Sequence, residues 1–441
     1  MRDSLRHKRT SALLLGVALL AGCTDTPARQ ATSQAPTATP PVSPPAAGSA
    51  TVTVQADPDR AGAPFDEPRR AVVPQGWTLS VWARTSRPRL AVWTPDGDLL
   101  VSVPSAGRVL RFEPASAGAP RESVLLDGLD QPHGLAFSGS TLYVAQSDQI
   151  DAYDYAAGSA TNPRTLAGDL PDARSPDLRG AYSHALKSVA VGPDGAVYFS
   201  IGSTGNVSAE DRTADPPRAT IMRVPPGGGP AEPFATGVRN GTGLAVAPDG
   251  AVWTAVNGRD NVAFPDPGPD YGQVIGEYVG DHPPEQLARL TPGRELGWPY
   301  CNPDGAASGP ADLPFIRDVQ TNPDGDLLDC TSLPPVEQSM GAHSAPLGLS
   351  FVDGGMPEPY ARGALVGVHG SWNRRPPRAP EVSFYPWRNG ELGDQQTLVG
   401  GFQADDGSRW GRPVAAVAGP DGAIYITDDA ADAIYRLAPP G

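Results

Sequence analysis

Five stretches of this chain carry a histidine, lysine, arginine or asparagine just ahead of a short apolar run. They are His133 in QPHGLAF, His184 and Lys187 in AYSHALKSVAVGPDG, Arg239 and Asn240 in GVRNGTGLAV, His343 in GAHSAPLGLSF, and Arg412 in WGRPVAAVAGPDG. His369, in GVHGSWNRR, instead follows such a run. Two kinds of chemistry are open to this set. A neutral imidazole can take a proton near pH 7. Guanidinium and ammonium groups can hold an anion, arginine through two parallel bonds to a carboxylate. A single histidine is more often a hydrogen-bonded structural residue, but several polar residues at one equivalent position make the functional reading its equal. Lysine adds weight, because the chain has only Lys8 and Lys187. Arginine-rich codon usage explains that scarcity but not where Lys187 sits.

The elements that must position these residues recur. The phrase reads TPDGDLLVSV from Thr94, GPDGAVYFSI from Gly192, APDGAVWTAV from Ala247 and GPDGAIYITD from Gly419, with looser copies at SGSTLYVAQS from Ser138 and ARGALVGVHG from Ala361. An apolar run precedes each turn, Asp-Gly provides the positive φ of a tight hairpin, and an alternating run follows. Six such units over roughly 370 residues, about 60 per unit, predict an all-β, six-bladed β-propeller around a central channel. Composition agrees: 51 Gly, 51 Pro and 19% charged residues in 441 describe a turn-rich chain. In a propeller the segments leading into the innermost strands crowd one mouth of the channel, so the residues above should converge there.

The N-terminus is a separate object. Arg2, Arg6, Lys8 and Arg9 precede an apolar run, Ser11–Leu20, too short to span a membrane stably, and LAGC ends at Cys23. That tetrapeptide resembles a bacterial lipobox, which implies a signal peptide over 1–22 and lipidation of Cys23. The protein would then be anchored to a membrane, facing the periplasm or exterior. A cleaved secretory signal with an incidental cysteine is the alternative, and both readings export the protein. Residues 23–66, rich in Thr, Ser, Ala, Gln and Pro, read as a disordered N-terminal tether, and 67–441 as the propeller. In an oxidising compartment Cys301 and Cys330 can pair, closing a loop of about 30 residues worth ~3 kcal/mol. They lie in an insertion at about 265–340 that lacks a blade signal. Two cysteines without a neighbouring CxxC or histidine cluster fall short of a zinc set. Net charge is −15, and −18 once residues 1–22 with their four basic side chains and Asp3 are removed. Such a surface disfavours nucleic acid and anionic lipid.

From about Val73 to Pro439 the chain resembles the pyrroloquinoline quinone (PQQ)-dependent sugar dehydrogenases, in particular the sorbosone and aldose dehydrogenase branch. The matching segments are VPQGWTLSVWA, SHALKSVAVGPDGAVYFSIGSTGN, TGVRNGTGLAV, LGWPYCNPDG, AHSAPLGLSF, HGSWNR and GRPVAAVAGPDGAIYITDDAADAIYRL. The resemblance implies oxidation of a sugar C1 hydroxyl, with His184 as the base and hydride passing to the quinone. It further implies PQQ contacts from Arg239, Asn240 and Arg412; from position, Lys187 joins them. His343, His369, Trp372, Asn373 and Arg374 are candidates for the pocket wall or for cofactor contact. A Ca²⁺ ion held by main-chain carbonyls maps onto Asn257-Gly258-Arg259, with Gly258 and Arg259 as ligands; an ordinary Asn-Gly turn is the alternative.

The chain also departs from the soluble glucose dehydrogenases. Ser203 stands where an acidic residue partners the catalytic histidine, and Ser339, Met340 and Gly341 stand where sugar-stacking aromatics are expected. The substrate is therefore not inherited with the cofactor. No CxxCH motif is present, so electrons would pass to a separate cytochrome or quinone. Two other classes stay open: a Ca²⁺-dependent propeller hydrolase such as a lactonase, and a non-catalytic binding propeller.

Overall fold

The computed structural model describes residues 48–116, 118–178, 180–305 and 311–441. In the four full copies of the turn phrase, glycine takes the left-handed conformation: Gly97 at φ +87°, Gly195 at +84°, Gly250 at +85° and Gly422 at +75°. A Cβ is strongly disfavoured there, so Asp-Gly reverses the chain at each site. The flanking runs pair antiparallel. Ala91–Trp93 meets Leu99–Val103, Val189–Val191 meets Val197–Ile201, Gly243–Val246 meets Val252–Val256, and Pro413–Ala418 meets Ile424–Asp428. The looser copies give Leu135–Ser138 with Thr141–Ala145 and Pro346–Asp353 with Arg362–Val368. The second strands LLVSV, VYFSI, VWTAV and IYITD are buried at every position, because each lies inside a blade covered on both faces.

Each hairpin is the inner half of one blade, giving six blades in chain order. The last is completed by Thr78–Arg84, which pairs antiparallel with Ala433–Ala438 and so ties the two ends of the propeller together. Innermost strands from all six blades line a narrow, mainly apolar cavity of about 240 Å³. Side chains bond across blade boundaries around it: Ser188 Oγ to Thr242 O, Thr242 Oγ1 to Pro346 O at 2.8 Å, Ser350 Oγ to Ala416 O at 2.6 Å, and Thr427 Oγ1 to Arg89 O at 2.6 Å. Packing is close enough that a Cβ on Gly134 would come within 2.6 Å of Val189 N in the next blade. A larger residue there would force blades 2 and 3 apart.

Two expected boundaries change. The tether does not extend to residue 66, because Ser49–Thr53 pairs with Arg70–Pro74 and Val72 exchanges main-chain bonds with Gly400 of blade 5. Val54 and Phe65 are buried, Phe65 edge-on to Tyr435, and Arg84 donates to the carbonyls of Arg60, Gly62 and Ala63. A few apolar residues in a Pro- and Thr-rich window suffice for this strap; the average composition hides them. Residues 1–47, with the signal and Cys23, lie outside the described residues. The stretch 265–340 is likewise not purely an insertion. It supplies a short helix, Gly276–Asp281, and then the outer strands of blade 4, Pro284–Leu290 and Val336–Ala342, with a small lobe between them closed by the Cys301–Cys330 disulfide.

Candidate active site

In an antiparallel hairpin the first strand begins where the second ends. The mouth therefore collects residues from both places: His184, Arg239, His343 and Arg412 before first strands, and Ser203, Gly258, His369 and Asp429 after second ones. His184 shows what this does. Its Nδ1 lies 2.9 Å from the carbonyl oxygen and 2.9 Å from the hydroxyl of Ser203. A carbonyl only accepts, so Nδ1 carries the proton and Nε2 is left with a lone pair. Burial, aided by the charge of Arg239, pushes the His184 pKa down to about 4. The imidazole is thus neutral at pH 7. Asn240 adjoins it, since a Cβ on Gly202 would sit 2.6 Å from His184 Cβ and 3.2 Å from Asn240 Oδ1.

Arg239 is 4% exposed and braced from three sides. It donates to Asn257 O at 3.1 Å, Asn206 Oδ1 at 3.2 Å and Asp260 Oδ2 at 3.2 Å, while its Nε has no partner. Asp260 also receives His343 Nδ1 at 3.4 Å and Asn373 Nδ2 at 3.4 Å. Burial opposes its ionisation, but His343 and Arg239 outweigh it and hold the Asp260 pKa below the usual carboxylate value. Burial also pulls His343 down, yet Asp260 and the Val279 carbonyl, 2.6 Å from Nε2, leave its pKa raised. Both ring nitrogens of His343 are thereby engaged. Beneath the same loop lies Glu285, whose Oε2 accepts the Gly258 N–H and whose pKa burial raises to about 7.

A second charged group faces the other side of the mouth. His369 Nε2 meets Asp429 Oδ1 at 2.8 Å, and Arg89 Nη1 meets Asp429 Oδ2 at 2.7 Å. Burial resists the Asp429 charge, but these partners bring its pKa down to about 2. Arg412 donates Nε to His369 O at 2.9 Å and Nη2 to Gly370 O at 3.4 Å. Among the described residues no carboxylate lies within 4 Å of its guanidinium. His133 sits below, fully buried, with Nδ1 3.2 Å from Lys187 O and its pKa lowered to about 3, chiefly by burial. Arg89 Nε and His133 Nε2 are both buried without a partner.

These facts sort the sequence-derived candidates. His184 Nε2, Arg239 Nε, Asn240 and the Arg412 guanidinium keep capacity for a ligand. Lys187 does not: its ammonium donates to the carbonyls of Ser147, Pro171 and Ala185, and it is fully buried. Burial pushes its pKa down to about 7, but three carbonyl acceptors call for the three donors of the charged form. Lys187 is a structural brace rather than a cofactor contact. Arg374 is engaged with Asp281 at 2.8 Å and the Ala342 carbonyl at 3.4 Å, tying the short helix to the rim. The Arg259 side chain turns away to Asp318 and Gln320, so only its main chain can serve the mouth. His343 and His369 act through Asp260 and Asp429. Sequence reasoning missed Arg89, Asn206, Asp260, Glu285 and Asp429. Arg89 stands just ahead of a first strand and Asp429 just after a second, so reading both ends of every hairpin would have found them.

The donor set fits an anionic, oxygen-rich cofactor, since two buried arginine Nε atoms and an arginine without a carboxylate surround the mouth. For a hard cation, the Gly258 and Arg259 carbonyls accept no hydrogen bond from a described residue, and the Glu285 carboxylate adjoins them.

A family model described as TrAA12-like matches residues 71–439. The chain belongs to the TrAA12-like family. Among curated proteins, this family member is 25% identical over 328 residues to a pyrroloquinoline quinone-dependent pyranose dehydrogenase of Coprinopsis cinerea, covering 68% of this chain and 42% of that protein. It is 27% identical over 239 residues to an uncharacterized protein of Borreliella burgdorferi, covering 53% of this chain and 56% of that one. The chain thus spans about half the length of the curated relatives it matches. In fold it is similar to the holo PQQ domain of the Coprinopsis cinerea pyranose dehydrogenase, at TM-score 0.69 and 20% identity, over 87% of this chain and 99% of that one. A calcium structure of a Trichoderma reesei family AA12 enzyme aligns at TM-score 0.65 and 19% identity, over 83% and 96% of the two chains.

Proposed function

We propose that this protein is a PQQ- and Ca²⁺-dependent dehydrogenase that oxidises the C1 hydroxyl of a pyranose or related aldose. The observation that carries the reading is the His184 tautomer: Nδ1–H is held by the Ser203 carbonyl, which leaves Nε2 unprotonated on a ring under the charge of Arg239. Such a group takes the hydroxyl proton as C1 gives up its hydrogen with two electrons, and the half-buried ring returns the proton to water. PQQ, when bound, supplies the two-electron acceptor for that hydrogen, and a Ca²⁺ ion beside it supplies polarising charge. Arg239, Asn240 and Arg412 would hold the cofactor, with Arg89 as a further donor, while Asp260 and Asp429 fix the positions of Arg239 and Arg89. Trp372, 76% exposed next to the Asn373 that bonds Asp260, offers a face for a sugar ring.

The Coprinopsis cinerea relative supports the cofactor and the pyranose class. The LAGC segment supports export and a lipid anchor at Cys23, with a separate periplasmic or membrane cytochrome or quinone taking the electrons. The test is titration of the apo-protein with PQQ and Ca²⁺, with dye reduction followed across aldoses, sorbosone, polyols and lactones. Turnover that needs both additions supports the proposal. Lactone hydrolysis that needs Ca²⁺ alone, without PQQ binding, replaces it with the hydrolase reading.

A further inference from the structure

Glu285 is a buried carboxylate that forms no ion pair with a described residue. It lies on the blade 4 strand Pro284–Leu290, 4% exposed, and among the described residues no arginine, lysine or histidine lies within 4 Å of it. The neighbouring acid Asp260 differs, being paired with both Arg239 and His343. Among the described residues one donor reaches the Glu285 carboxylate, the N–H of Gly258. Burying a carboxylate is costly unless a cation compensates; Arg239 and His343 favour its charged form only from beyond 4 Å, and both are already paired with Asp260. The surroundings suit a hard ion. Glu285 adjoins the Asn257-Gly258-Arg259 loop, where the carbonyls of Gly258 and Arg259 accept no hydrogen bond from a described residue and the Arg259 guanidinium is drawn off by Asp318 and Gln320. Glycine at 258 also leaves room for the acid, since a Cβ there would sit 2.9 Å from Glu285 Oε2.

We propose that Glu285 is the side-chain ligand of a calcium ion held at this loop, together with the Gly258 and Arg259 main-chain carbonyls. A single carboxylate and carbonyl oxygens form a set calcium accepts, with further positions left for water or a bound ligand. The ion's catalytic role rests on the dehydrogenase reading; its binding to the apo-protein does not.

The experiment is calorimetric titration of the chelator-treated, cofactor-free chain with Ca²⁺ and, separately, Mg²⁺, paired with thermal unfolding. Wild type should bind Ca²⁺ in preference to Mg²⁺ and unfold at a higher temperature with it. Glu285→Gln should weaken Ca²⁺ at least about tenfold and lose the Ca²⁺-dependent rise, while its metal-free unfolding temperature stays level or increases. A glutamate with only a structural role would instead lower the metal-free temperature and leave Ca²⁺ affinity unchanged. Gly258→Ala, which keeps every charge, should weaken Ca²⁺ by displacing the carboxylate. Wild-type Ca²⁺ affinity in both variants, or no Ca²⁺ binding by wild type, overturns the assignment. PQQ uptake, followed by absorbance, separates the two ideas. A Ca²⁺-loaded chain that never binds PQQ removes the dehydrogenase reading and leaves Glu285 in place, whereas PQQ binding with unaltered Ca²⁺ affinity in Glu285→Gln does the reverse.

Discussion

The acid limb of turnover should lie near pH 4 and not near the ordinary histidine value. His184 is held neutral by burial and by the charge of Arg239, which bring its pKa to about 4. The sign follows directly: protonation removes the Nε2 lone pair, so the rate falls as pH drops through the folded-state pKa. At about pH 5.5 an imidazole of pKa ~6.5 is roughly 9% neutral, whereas one of pKa ~4 is roughly 97% neutral. Wild type should therefore keep nearly all its kcat/KM at that pH instead of losing about tenfold. Ser203→Asp supplies the contrast. It places a carboxylate beside Nδ1, which should raise the histidine pKa by ~1–3 units and move the limb to about pH 5–7. The assay is dye reduction at saturating PQQ and Ca²⁺ between about pH 3.5 and 8. A pH titration of the ¹³C-labelled His184 ring, assigned by its loss in His184→Asn, reads the pKa without turnover. A wild-type limb near 6.5, or a limb that Ser203→Asp leaves in place, would refute the argument.

Other outcomes follow from the same geometry. Arg239→Ala should weaken PQQ by about 10- to 150-fold, the ~1.5–3 kcal/mol of a hydrogen bond to a charged group, whereas His184→Ala should abolish turnover with PQQ affinity nearly intact. Lys187→Met should strand three buried carbonyls and cost at least ~3 kcal/mol in a urea melt, while the folded fraction keeps its PQQ affinity. Trp372→Ala should raise the sugar KM several-fold with kcat preserved, because an exposed ring lends its face equally to ground and transition states. Cys330→Ser should lower stability by ~2–4 kcal/mol, read by thermal unfolding with and without reductant.

Much of the fold was legible because a propeller repeats. Each Asp-Gly turn needs one residue in the left-handed region, and glycine provides it locally, so Gly97, Gly195, Gly250 and Gly422 mark their hairpins without tertiary context. The placement of His184, Arg239 and Asn240 at the mouth was legible for the same reason, each standing a few residues ahead of a strand start. The strap from Ser49 to Phe65 was not, because Val54 and Phe65 are a small apolar minority in a window that averages as disordered. The outer strands of blade 4 were hidden too, separated from their inner hairpin by a helix and from one another by a disulfide-closed lobe without a repeat phrase.

What the sequence determined by itself is the ring of six units and the kinds of side chain that reach one mouth, since turn chemistry and strand alternation act over a few residues. Only the tertiary structure decided which of those side chains remain available. Lys187 and Arg239 are both cations ahead of inner strands, yet three carbonyls from surrounding loops enclose the first, while Asn257, Asn206 and Asp260 brace the second with its Nε unpartnered. Those partners lie 2 to 40 residues away in the chain, and blade packing alone determines which of them meet. Burial then keeps His184 neutral, while His343 and Arg239 overcome burial to keep Asp260 charged, because desolvation and partner charge depend on what is packed nearby and not on residue type.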